Sequence, residues 1–335
     1  MKAQQRLDLL IQLGKYMSEG SPEWLEVKHR AFLENNWFIP EFIDLSVQNI
    51  IKDFLNEEKL GEVMRTYLPA EENAHPRKIG IVMAGNIPLV GFHDLLAVFL
   101  TGNIAYIKLS SKDEVLMKHV VNKLIERDEN AAAYFNIQTL LKNCDAYIAT
   151  GSNTSSPYFE YYFNKYPCII RSNRTSIAVL TGNETERELE ALADDVYQYF
   201  GLGCRNVSKL FVPEGYHFLP LLEAFRKYNW LAQHHKFKNN YDYNLAIHLL
   251  NHKYYMTNES ILLIEDPAVF SPIGQLNYEF YQNVEDVNKL LVHNNNIQCA
   301  VGKNHLPFGS AQKPGLCDFA DGVDPFAFLV GLEKN

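Results

Sequence analysis

Ile79-Gly-Ile-Val-Met-Ala-Gly-Asn-Ile-Pro-Leu-Val-Gly-Phe-His-Asp-Leu-Leu-Ala-Val-Phe-Leu-Thr-Gly-Asn-Ile-Ala-Tyr-Ile-Lys-Leu-Ser110 is the stretch that decides the fold. Ile79 to Met83 is short and almost wholly apolar, as in a strand buried on both faces of a parallel sheet. Phe92, Leu95, Leu96, Phe99 and Leu100 then recur at helical spacing and mark one apolar face. Gly102 and Asn103 stop that helix. Ile104 to Ile107 is a second apolar strand, so the stretch reads as one βαβ unit.

The same alternation continues outward. Ser111-Lys-Asp-Glu114 has the spacing of a capping box and opens a helix through about Arg127. Ala146 to Ala149 is a further strand, ending at Thr150-Gly-Ser152. Ser176 to Leu180 is another. A helix follows from Thr185 to Phe200, with Thr185 and Glu188 as a capping box and Leu189, Leu192, Ala193 and Val196 facing inward. Val207 to Val212, Ser260 to Ile264 and Ile297 to Val301 read as strands, Leu221 to Tyr228 and Val284 to Val292 as helices. Asn239 to Tyr255 has no clear period. Residues 1 to about 70 read as helical, from the spacings of Leu7, Leu10 and Leu13 and of Phe42, Leu45 and Ile50. The expected class is α/β, with two doubly wound domains after an N-terminal helical segment. Residues 1–178 would form the helices and nucleotide-binding domain, and residues 179–335 the catalytic cysteine domain with a C-terminal motif loop.

Composition narrows the function. The 335 residues are 47% hydrophobic and 21% charged, with net charge -9 and no basic stripe. That suits a soluble globular protein and argues against nucleic acid as a partner. The N-terminus lacks an apolar signal-like run, and no apolar run approaches the roughly 20 residues of a membrane span. Cys144, Cys168, Cys204, Cys299 and Cys317 are few and scattered, without metal-ligand or disulfide spacing. The expectation is a cytoplasmic enzyme with free thiols and no metal.

Five short elements carry candidate chemistry. Phe200-Gly-Leu-Gly-Cys-Arg-Asn206 puts Cys204 on a glycine-bracketed turn between a helix and a strand. A thiol there suits a nucleophile, although a lone cysteine is equally a small buried residue. Gly85-Asn-Ile-Pro88 offers an amide donor, Asn86, at a strand end, where a developing oxyanion would be stabilised. Lys108 in Tyr106-Ile-Lys-Leu-Ser-Ser111 ends the next strand. Thr150-Gly-Ser-Asn-Thr154 precedes a helix whose N–H groups favour polar ligand groups. His305-Leu-Pro-Phe-Gly-Ser310 is a turn-rich loop bearing Phe308.

In order and in combination, these elements resemble the aldehyde dehydrogenase superfamily. Asn86-Ile-Pro-Leu89 is similar to its Asn-Phe-Pro-Leu element. Thr101 to Ser110 is similar to its Gly-Asn…Lys-Pro-Ser element, Thr150-Gly-Ser152 to its Thr-Gly-Ser turn, and Leu306-Pro-Phe-Gly-Ser310 to its Leu-Pro-Phe-Gly-Gly loop. The resemblance implies Cys204 as nucleophile and Asn86 as oxyanion donor. It implies Lys108, Ser110, Ser111, Gly151, Ser152 and Phe308 as cofactor contacts. Arg171-Ser-Asn-Arg-Thr175 stands where that superfamily carries a general-base Glu, and Ala268-Val-Phe-Ser-Pro272 where it carries a ribose-binding one. Ser111 replaces a Glu that favours NAD. These departures resemble the LuxC-type acyl-CoA reductases (fatty-acid reductases).

The implied activity is NADPH-dependent reduction of an acyl-CoA to an aldehyde through a Cys204 thioester. NAD(H) is the alternative cofactor, and acyl phosphate or acyl-carrier protein the alternative donor. A non-catalytic cofactor-binding scaffold is the remaining alternative. A homodimer or an acyl-transferring partner protein is the expected assembly. His234-His235 lacks a second ligand cluster and carries no metal expectation.

Overall fold

The computed structural model describes residues 1–68, 72–152 and 154–332. The chain forms two compact units, Met1–Ser172 together with the chain from Pro314 onward, and Asn173–Lys313.

In the first unit, α1 (Ala3–Glu19), α2 (Pro22–Glu34), α3 (Pro40–Asn49) and α4 (Glu57–Tyr67) precede the sheet. Then come β1 (Lys78–Val82), α5 (Phe92–Leu100), β2 (Ile104–Lys108), α6 (Glu114–Arg127), β3 (Phe135–Ile137), β4 (Ala146–Thr150), α7 (Ser156–Phe163) and β5 (Cys168–Arg171). The strand order is β3-β2-β1-β4-β5, and every pair is parallel. The first apolar run is buried throughout from Ile79 to Val82, while β2 buries Ala105 and Ile107, and α5 buries Phe92, Leu95, Leu96 and Phe99 in the same core as Leu10 and Leu13 of α1.

The expected Ser111–Glu114 capping box is not formed. α6 begins at Glu114, and the side chain of its N-cap residue, Asp113, makes no cap hydrogen bond. That carboxyl instead accepts the Leu89 N–H at 2.7 Å. Leu89 has φ +57°, a strained value for a branched residue, and a tertiary hydrogen bond there outweighs local capping.

The second unit contains β6 (Thr175–Val179), α8 (Glu186–Tyr197), β7 (Val207–Pro213), α9 (Leu219–Ala224), α10 (His235–Leu250), β8 (Met256–Thr257), β9 (Leu262–Glu265), β10 (Gln275–Tyr281), α11 (Val284–His293) and β11 (Ile297–Gly302). Its strand order is β11-β6-β7-β10-β9-β8, parallel except for the antiparallel β8–β9 pair. The Thr185–Glu188 capping box is present in full. The aperiodic run 239–255 falls largely in α10. β10 carries Asn277 and Glu279 and so lacks an apolar pattern. Asn277 is nonetheless buried, its amide donating to the Ala268 and Phe270 carbonyls at 3.0 Å each.

The expected division after residue 178 moves to Ser172/Asn173, because β6 pairs with β7 and β11 of the second unit. The chain from Pro314 onward, expected in the second domain, belongs to the first unit. Its helix α12 (Pro325–Gly331) buries Phe326 and Leu329 in that unit's core. Among the described residues, no helix is long and apolar enough to cross a membrane.

Candidate active site

In the first unit the chain runs outward from β1 through β2 to β3, then returns to place β4 on the other side of β1. The carboxyl ends of β1 and β4 therefore flank a topological switch point, where open α/β sheets bind ligands. The β1 loop carries Asn86, half-buried, and the β4 loop carries Gly151 and Ser152. Lys108 ends the neighbouring β2 and is exposed, with no ion pair among the described residues.

Packing holds these loops together. A Cβ on Gly85 would stand 2.5 Å from Ser110 Oγ and 2.7 Å from Ser110 Cβ, so only glycine lets the β1 and β2 loops meet. The Pro88 carbonyl accepts from Ser46 Oγ at 2.7 Å. Gly151 donates its N–H to the Arg171 carbonyl, and Ser152 donates its own to Ser155 Oγ at 2.8 Å. A Cβ on Gly151 would clash with Ser155 and, at 2.5 Å, with the Phe159 ring.

In the second unit, Cys204 lies on the turn joining α8 to β7 and is half-buried. Tyr199, Phe200 and Gly201 have φ of +55°, +58° and +73°, and two non-glycine residues in succession in that region are costly. Packing holds them, with the Phe200 ring 4.5 Å from His234 and 5.9 Å from Phe237. His234 is otherwise the N-cap of α10, which accounts for it without a metal.

Asn206 braces the turn. Its Nδ2 donates to the carbonyls of Asp195, Val196 and Gln198 at 3.0, 3.3 and 2.8 Å, and its Oδ1 accepts the Gly203 N–H at 2.8 Å. One side chain thus satisfies the open end of α8 and offsets the negative dipole end that would oppose a thiolate nearby. Ser176 Oγ donates to the Cys204 carbonyl at 3.2 Å and lies 3.1 Å from Cys299 Sγ. Burial raises the Cys299 pKa, and the adjacent Arg205 opposes that rise. Sequence reasoning passed over Asn206 and Ser176. Neither residue carries a local signal, since Asn206 lies nine residues beyond the end of α8 and reaches back to it only in the folded chain. Asn206→Ala should destabilise the protein by about 2–3 kcal/mol by stranding buried carbonyls. Chemical denaturation checks this, and a loss below about 1 kcal/mol would contradict the brace.

The late loop is anchored in the same unit. Asp195, fully buried on α8, accepts the Gly309 N–H at 2.6 Å and the Ala311 N–H at 2.9 Å. Immediately before these two amides the loop carries Phe308, half-buried. Arg171, which stands where the resemblance expects a base carboxylate, ends β5 in a buried ion pair with Asp94 of α5. His93 beside it is half-buried, with Nε2 2.9 Å from the Leu316 carbonyl. Burial lowers its pKa, and Asp94 opposes that shift.

The structure therefore gathers Asn86, Lys108, Ser110, Ser111, Gly151 and Ser152 along one sheet edge of the first unit. It ties Cys204 and the Phe308 loop to one helix of the second. Among the described residues no His, Cys, Asp or Glu group has the make-up of a metal site.

Solved structures share this fold at low identity. A putative aldehyde dehydrogenase from Burkholderia cenocepacia matches with TM-score 0.65 and 13% identity, over 87% of this chain and 72% of that one. Aldehyde dehydrogenase 21 from Physcomitrella patens matches with TM-score 0.67 and 14% identity, over 89% and 72%. An aldehyde dehydrogenase from Bacillus cereus, solved with NAD+, matches with TM-score 0.65 and 13% identity, over 91% and 72%. No curated protein matches the sequence. The family model described as acyl-CoA reductase (LuxC) matches residues 37–220, which is more than half of the chain and runs from α3 through the Cys204 turn into α9. That match places the chain in the LuxC acyl-CoA reductase family, and its fold is that of the aldehyde dehydrogenases.

Proposed function

We propose that the protein reduces an acyl-CoA to the corresponding aldehyde with NADPH, through a thioester on Cys204. The observation that carries this reading is the braced turn. In a chain of this family, a half-buried thiol sits on a strained backbone that Asn206 and Ser176 hold in place. The Cys204 thiolate attacks the thioester carbonyl, and the oxyanion that forms is held by the Asn86 amide and the Cys204 N–H. The intermediate collapses, coenzyme A leaves as the thiolate and takes a proton, and the acyl group remains on Sγ. A bound reduced nicotinamide supplies the hydride that converts this thioester to a thiohemiacetal. Collapse of the thiohemiacetal releases the aldehyde and returns Cys204 to the thiolate.

Arg171, paired with Asp94, offers no carboxylate to activate water, so the acyl group waits for reduction rather than hydrolysis.

The first unit suits a dinucleotide. Its switch point is flanked by glycine loops, and Lys108 stands exposed beside it. Ser111 and Lys112 are exposed next to that lysine, and two cations with a neutral Ser111 between them in sequence support accommodation of a 2′-phosphate. Ser111→Glu should raise the KM for NADPH by about tenfold while leaving that for NADH within about twofold, by like-charge repulsion. An equal change in both would remove Ser111 from cofactor selection.

The test of the whole reading is NADPH and NADH oxidation against acyl-CoAs of graded length, with acyl phosphate and carrier-bound acyl groups in parallel. Turnover with none of them sinks it. Turnover with acyl phosphate or carrier protein alone reassigns the donor.

A further inference from the structure

We propose that Asp195 is a positioning residue that fixes the Leu306–Ala311 loop against the turn carrying Cys204. The inference rests on reading Cys204 and Phe308 as site residues, and goes beyond it by naming what couples them. Asp195 is 0% exposed, and both its carboxylate oxygens are used, one by the Gly309 N–H at 2.6 Å and one by the Ala311 N–H at 2.9 Å. Its backbone carbonyl accepts from Asn206, whose Oδ1 holds the N–H of Gly203, the residue before Cys204. A single residue of α8 therefore grips both loops.

The loop lies directly on that helix. Gly309 has φ +79°, and a Cβ there would stand 3.1 Å from Ala191 Cβ. Lys313 Nζ donates to the Gly309 carbonyl at 2.8 Å, closing the loop from its far side.

Two convergent N–H donors call for two acceptors on one planar group, which a carboxylate offers and an amide does not. Burial pushes the Asp195 pKa up to about 7, against the two N–H bonds and the nearby Lys313 charge, with neighbouring Asp194 adding to the rise. The other groups that feel this carboxyl are Cys299 of β11, beside Arg205 of the turn, and Tyr228. Protonation would turn one acceptor oxygen into a donor facing an N–H, so the ionised carboxylate is the form that accepts from both amides.

The test compares wild type with Asp195→Asn by three measurements on the intact chain. Amide exchange at Gly309 and Ala311 should accelerate by about tenfold or more in the variant. Acylation of Cys204 by acyl-CoA, read by intact mass, should stay within about twofold, because Asn206 and the turn are untouched. Steady-state NADPH oxidation should fall by about tenfold or more, with the KM for acyl-CoA little changed. Unchanged exchange, or unchanged turnover, overturns the proposal. So does an equal fall in acylation and turnover, which marks a purely structural role. If the variant does not fold, wild-type amides at Gly309 and Ala311 that exchange as fast as an unstructured peptide overturn it. If wild type is not acylated at all, the proposed function fails while the exchange data still judge the grip.

Discussion

Cys204→Ala is expected to abolish aldehyde formation, lowering turnover by about a thousandfold or more, as removal of a covalent nucleophile does. The acyl adduct seen by intact mass after mixing wild type with acyl-CoA should vanish with it. Folding should survive, because Cys204 is half-buried and Asn206 and Ser176 hold the turn. A melting temperature close to wild type therefore accompanies the loss. The result that would sink the assignment is an adduct that persists in the variant. Cys299, whose Sγ lies 3.1 Å from the hydroxyl that binds the Cys204 carbonyl, would then be the thiol to examine.

Arg171→Ala is expected to destabilise the first unit by about 3–5 kcal/mol, the loss typical when one partner of a buried ion pair is removed. Both side chains are 7% exposed, and Arg171 Nη1 reaches the two Asp94 oxygens at 2.8 and 2.6 Å. The deletion leaves Asp94 charged and unpaired in the interior. Replacing both partners with apolar residues, Asp94→Leu with Arg171→Met, should recover most of the loss, since the desolvation penalty disappears with the charges. Urea denaturation of the two variants checks this. A double variant as unstable as the single one would show that the pair does more than neutralise charge. Because Gly151 donates to the Arg171 carbonyl, the single variant should also loosen the Thr150-Gly-Ser152 turn.

The parts legible in sequence were those whose pattern is local. The β1–α5–β2 unit follows from apolar runs and helical spacing, and the Thr185–Glu188 capping box from two residues three apart. The elements that escaped owe their form to distant partners. β10 hides because Asn277 is buried through hydrogen bonds to carbonyls seven and nine residues away, which no strand pattern displays. Asp113 looked like part of a helix start, but its carboxyl is drawn to Leu89, far along the chain. The same holds for the candidate site. Cys204, Asn86 and Lys108 stand out as residue types in short motifs. Asn206, Ser176 and Asp195 do not, because their roles consist of backbone contacts that exist only once the chain has folded.

The return of the chain from Pro314 to the first unit sets an order of events during synthesis. α12 packs on α5, and Leu316, Phe326 and Leu329 join a core whose other buried members come from residues before 172. The ribosome must therefore complete the whole second unit before the first can close. At about 5–20 residues per second, the nascent sheet spends many seconds with the site for Phe326 and Leu329 uncovered. A nascent chain stalled just before α12 would present that apolar surface to chaperones, and the emergence of α12 from the ribosome would withdraw it.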